Sequence, residues 1–404
     1  MKFNFKAQKD NGELVTGERE SSDRFALARE MRGEGLTLIA AHPADSLSRH
    51  RSWLAGLFKG VHLKEKIVFA NNLSSMIGAG LSLSRSLEIL TRQTTNKYFQ
   101  TIISDLLNRV TGGESFSAAL SAYTSVFPSV FISMVEAGEE SGNLPNSLHI
   151  VKEQLSKTYE LQRKVRGAMI YPAIIISLMF VVGILMMIFL VPKLASTFAD
   201  LNVPLPLLTR IFVGISSLMA NHYFIFLSAL VLLIISFISF LRAPAGQKTL
   251  DFILLRLPVI GELDRQVNAA ITMRTISSLI SSGVGMMETI TITARVLQNF
   301  YFKQAVNQFV TKIEKGMTLS AMLKEQPKLF PVLVGELTEV GEETGKMAEM
   351  LLEGAQFYEE EVDQATKNLA TIIEPVIMIV IGTAVGFFVV AMIQPMYALT
   401  SAIQ

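Results

Sequence analysis

Polar and apolar positions change period several times along the chain. Near the start Phe3 and Phe5 alternate with polar residues, Asn11-Gly12 is a hairpin signal, and Leu14–Arg19 can return as a second strand. Ser22 or Asp23 can cap a short helix through about Arg32, and Gly33 and Gly35 end it before the run LTLIAA. Residues 1–42 therefore read as a small ββαβ unit. Residues 43–62 read as a linker, with Pro43, serines, Gly56 and Gly60, and with Trp53, Leu54, Leu57 and Phe58 placed to skim a membrane surface. From Leu63 the period becomes helical: Phe69, Leu73, Met76 and Ile77 share a face, and Gly80 breaks it before Leu83, Leu87 and Leu90. Gly112-Gly113, Phe127-Pro128 and Gly138–Gly142 are the next punctuation, so residues 63–172 read as a bundle of about six short helices. Three stretches, 173–191, 223–241 and 376–394, carry no charge at all. Each has the length needed to cross a hydrocarbon core of ~30 Å as a helix.

Residues 70–172 return at 273–375 in one ungapped register. Phe127-Pro128 recurs as Phe330-Pro331, Gly80 as Gly283, and Gly138-Glu139-Glu140-Ser141-Gly142 as Gly341-Glu342-Glu343-Thr344-Gly345. So long a period is a duplicated domain, not a solenoid of short units. Each copy ends at a proline, Pro172 or Pro375, followed directly by an apolar stretch. The fold class is mostly α: a membrane protein with two homologous six-helix domains, 63–172 and 266–375, and three spans. The stretch 192–222 is then a connection on one face and 395–404 a tail on the same face.

Two copies of one soluble domain belong on one side of the membrane, and the two spans between them satisfy that. Lysine and arginine collect on the cytoplasmic side. Lys152, Lys157, Arg163, Lys164 and Arg166 precede the first span, and Arg242, Lys248 and Arg256 follow the second. Residues 193–222 hold only Lys193 and Arg210. Both repeats are therefore expected in the cytoplasm, with the connection and tail outside.

Composition narrows the function. With 50% hydrophobic and 18% charged residues, the chain is too apolar for an ordinary soluble protein. A net charge of +1 and the lack of a basic stripe with interleaved aromatics argue against nucleic acid. The absence of cysteine removes disulfides, thiol nucleophiles and cysteine-ligated metals. No apolar run near the start has the form of a cleaved signal. His42, His50, His62, His149 and His222 form no paired-histidine motif, and no serine sits in a G-x-S-x-G elbow. Gly341–Lys346 imitates a phosphate loop but is one residue short, has Met347 where a hydroxyl belongs, and has Asn143 for its lysine in the first repeat. The spans hold no ionisable residue for a coupled ion, which disfavours a small-solute transporter. Gly382-x-x-x-Gly386 in the third span reads as a close helix-packing face, or as ordinary glycine background.

The duplicated acidic clusters, Glu136, Glu139 and Glu140 with Glu339, Glu342 and Glu343, carry the remaining candidate chemistry. Gly138 and Gly142, like Gly341 and Gly345, permit a tight turn between helices, and the carboxylates favour a helix N-terminus. One reading is a helix-capping turn. The other is contact with a basic partner surface or an oxygen-seeking metal.

The GEESGNL and GEETGKM segments, the Tyr171-Pro172 and Glu374-Pro375 pairs before the first and third spans, and the GAGLSL and GVGMME turns resemble the platform proteins of type IV pilus assembly and type II secretion, the PilC/GspF family. The order of domains and spans matches from residue 63 onwards. The resemblance implies a non-enzymatic inner-membrane platform that couples a cytoplasmic hexameric ATPase to pilin extraction and polymerisation; no cofactor is expected beyond a structural divalent cation such as the calcium that some family members hold, whose ligands are not placed. The alternative is the same role towards pseudopilins in type II secretion. It also implies other inner-membrane assembly proteins and membrane lipid as partners, and a homodimer.

Overall fold

The computed structural model describes residues 2–9, 14–21, 24–33, 35–43, 60–200, 210–211, 213–217 and 223–402. They fall into two compact units, Met1–Val61 and His62–Gln404.

In the first unit, strands β1 (Lys2–Lys9), β2 (Leu14–Glu20) and β3 (Leu36–Pro43) form a sheet of order β2-β1-β3, with both neighbours antiparallel to β1. The pairing of β1 with β3 shifts register between Lys6 and Ala7. Helix α1 (Arg24–Gly33) buries Leu27 and Met31, which stand one turn apart. Gly35, at φ +73°, makes the reversal into β3. The Asn11-Gly12 hairpin signal, the Ser22 and Asp23 caps and most of the 43–62 linker lie outside the described residues.

The second unit holds the duplication. The first repeat comprises α2 (Leu63–Gly78), α3 (Leu83–Gln93), α4 (Lys97–Thr111), α5 (Phe116–Ser121), α6 (Ser129–Glu140) and α7 (Leu144–Leu185). After α8 (Val191–Asp200) and the apolar α9 (Tyr223–Arg242) comes α10 (Pro244–Arg256). The second repeat comprises α11 (Ile260–Ser281), α12 (Met286–Val296), α13 (Phe300–Ile313), α14 (Leu319–Lys324), α15 (Val332–Thr344) and α16 (Met347–Ala402).

Equivalent residues start equivalent helices. The side chains of Asn96 and Asn299 accept from the first amides of α4 and α13, and those of Ser115 and Thr318 cap α5 and α14. Phe127 and Phe330 are buried, and the prolines that follow them stand at the N-caps of α6 and α15. Phe127 meets Phe131 at 5.0 Å between ring centroids in one core, and Phe330 meets Phe302 at 5.1 Å in the other.

Among the described residues, three helices are long and apolar enough to cross a membrane: α7, α9 and α16. Their apolar stretches are uncovered: Ile174, Leu178, Phe224, Leu232 and Ile379 are all more than half exposed. Helix α7 passes from the folded domain through Pro172 into its apolar stretch as one element, and α16 does the same through Pro375. A π-helical turn, Met186–Leu190, precedes Pro192. The proline ring excludes the carbonyl four residues back, and widening the helix accommodates it. The carbonyl of Met187 in that turn accepts from Ser216 Oγ at 2.6 Å.

Candidate functional site

The duplicated acidic turns are built almost identically. Glu139 stands in the last turn of α6, yet its carboxylate reaches back to the start of α5, accepting from Phe116 N at 2.6 Å and Ser117 N at 2.8 Å. Glu342 accepts from Leu319 N at 2.7 Å, from Ser320 N at 3.3 Å and from the Ser320 hydroxyl. Each carboxylate thus satisfies two amides that a helix start leaves without partners, where the macrodipole also favours a negative charge.

The two glycines of each turn act differently. Gly142 (φ +66°) and Gly345 (φ +71°) take the left-handed conformation that reverses the chain after α6 and α15. Gly138 and Gly341 serve close approach instead: a Cβ on Gly138 would fall 2.6 Å from Ser147, and one on Gly341 2.8 Å from the Met347 backbone. The long helices α7 and α16 are thereby held against α6 and α15. The phosphate-loop look-alike dissolves here, because Gly341–Thr344 is helical and Lys346 lies 3.5 Å from Glu349.

The remaining acidic candidates are dispersed. Glu136, Glu140 and Glu343 are exposed. Glu339 pairs with Lys324 at 2.6 Å, and that hydrogen bond leads the causes that raise the lysine's pKa. Among the described residues, no group of three histidine, aspartate or glutamate side chains could hold a metal ion.

The repeats also pack on each other, through a seam that no motif announces. Helices α6 and α7 of the first repeat lie against α11, α12 and α16 of the second. Ser133 Oγ donates to Glu288 at 3.0 Å, and the buried Gln154 amide bonds Thr275 at 2.9 Å and accepts from Ser278 at 3.2 Å. Leu161 of α7 enters the core of the second repeat. Closer to the spans the seam is ionic: Lys164 meets Asp363 at 2.7 Å, Lys157 approaches Glu359 at 4.0 Å, and Arg274 pairs with Glu359 within the second repeat. The Lys164 and Lys367 ammonium groups bring the Asp363 carboxyl down to about 2. Lys157, Lys164, Arg274, Glu359 and Asp363 line a polar cavity of about 360 Å³ between α7 and α16. Because residue numbers rise together along both helices at these contacts, α7 and α16 run parallel towards their apolar stretches.

Of the membrane-entry candidates, Tyr171 is 46% exposed, Pro172 is buried, and Glu374 and Pro375 are exposed on α16. Among the described residues, no atom of another element stands within 4 Å of where a Cβ would sit on Gly382 or Gly386.

The family model for the type II secretion system protein F matches residues 69–192 and again 272–395, each taking in most of one repeat and the whole of the adjoining span. The type IV pilus assembly protein PilC of Thermus thermophilus is 35% identical over 395 residues, 98% of this chain and 97% of its own. A protein of the same name from Myxococcus xanthus is 33% identical over 402 residues, 100% of this chain and 96% of its own. The type II secretion system protein F of Xanthomonas campestris is 29% identical over 408 residues, 99% of each. Two copies of the family domain in the register of the internal duplication, with relatives aligned from end to end, place this chain in the type II secretion system protein F family.

Proposed function

We propose that the chain is the inner-membrane platform of a type IV pilus assembly machine. Both repeats lie in the cytoplasm, engage a hexameric ATPase and pass its movement to pilins drawn from the bilayer. The observation that carries this reading is the continuity of α7 and α16, each a single helix from a folded domain into an apolar stretch. A displacement of the domain is transmitted along such a helix without a hinge loop to absorb it. The charged seam between the two helices makes the repeats move as one body.

No catalytic constellation enters this account, and the chain acts as a scaffold whose energy comes from its partner. Other inner-membrane assembly proteins and lipid complete the surroundings, and copies of the chain associate with one another. A bound calcium ion has no assigned ligands. The exposed carboxylates Glu136, Glu140 and Glu343 are the surface offered to a basic partner, since Glu139 and Glu342 are committed to helix starts.

The relatives named for pilus assembly at 35% and 33% identity favour the pilus over secretion, whose named relative stands at 29%. Removing the gene tests the choice. Loss of surface pili, with pilin retained in the membrane and restored by the intact gene, is expected. Normal piliation with secreted proteins stranded inside the envelope would move the chain to the secretion machine.

A further inference from the structure

The seam between the repeats joins unlike faces, and among the described residues this asymmetry leaves two complementary faces uncovered. The first repeat contributes α6 and α7, and the second contributes α11, α12 and one side of α16. By the internal duplication, α6 corresponds to α15 and α11 and α12 correspond to α2 and α3. The chain therefore carries a second copy of each half of the seam, α15 with one side of α16 at one end and α2 and α3 with one side of α7 at the other.

Both spare faces have the surface of an interface. On α15, Val332 is 73% exposed and Val340 45%, and on α16 Phe357 is 45% exposed at the position equivalent to the buried Gln154. On the other face, Met76 and Ile89 are half-buried where their equivalents Leu279 and Ile292 are 0% and 2% exposed. Charge supports the match. The seam hydrogen bond Ser133–Glu288 becomes Glu336 facing Arg85, and the seam ion pair Lys164–Asp363 becomes Lys367 facing Glu160. Both substituted pairs are of opposite sign. At present they satisfy themselves locally, Arg85 with Glu88, Glu336 with Lys324, Lys367 with Asp363 and Glu160 with Lys157, and the four substituted side chains are themselves exposed, where an ion pair is worth little.

We infer that a second copy of this chain docks its α2–α3 face onto the α15–α16 face of the first, repeating between chains the seam that joins the repeats within one. The operation is compatible with a bilayer. It superposes parallel helices α7 and α16, so the spans of the added copy point the same way as those of the first. Unlike faces give a heterologous contact, which closes into a ring or continues as a row.

The inference gives a geometry to the self-association proposed above, and two readouts separate them. The natural chain has no cysteine, so R85C with E336C in membranes, treated with a short bismaleimide, reports this contact alone. A band at twice the monomer mass, or a ladder, that requires both substitutions is expected. S133C with E288C, linked within one chain and detected as a joined peptide by mass spectrometry, verifies that the reagent reaches the seam. Failure of R85C/E336C to link chains while that control links overturns the inference, and so does equal linking by either single variant. Co-purification of two differently tagged copies reads self-association itself; if it persists without the cross-link, copies associate through another face.

Discussion

At the residue scale, the GEESG and GEETG segments divide their work: one glycine permits close approach, one reverses the chain, and the first glutamate caps a distant helix. Replacing Glu139 or Glu342 with alanine leaves two amides without their acceptor, a loss comparable to removing a helix cap, about 1 kcal/mol each. The two sites lie in different domains, so the effects should add. Thermal unfolding of the detergent-solubilised E139A, E342A and double variants measures both points. The sequence made the motif conspicuous and the capping role one of its readings. It could not say which helix is capped, because the accepting carboxylate and the donating amides are 22 or 23 residues apart and no local period links them.

At the scale of elements, the duplication was legible in full, from Gly80 and Gly283 to Pro172 and Pro375, and the apolar stretches were legible from their lack of charge. The seam was not. A repeat implies equal roles for equivalent helices, whereas α11 is buried on nearly every side and α2 only on its inner face. Only the unequal chemistry of aligned positions hints at this, as with Arg274 opposite Asn71. Arg274 and Glu359 are 7% and 12% exposed, so removing one partner strands a charge beside the core. R274A should destabilise by about 3 kcal/mol and E359Q by a similar amount, while R274M with E359L should recover most of the loss. Unfolding midpoints of the three variants in one detergent decide this. A double variant as unstable as the sum of the singles would mean that the pair acts through something other than mutual compensation.

At the scale of the molecule, the account rests on two domains joined by an ionic seam and continued as helices into the membrane. Under the proposed platform role, its use depends on what drives it and what it moves. Purifying the tagged chain from its own cells in a mild detergent, with partners identified by mass spectrometry, tests that claim most directly. Recovery of a hexameric assembly ATPase together with pilins is the predicted result. A preparation that lacks both and instead carries out solute transport in liposomes would contradict it.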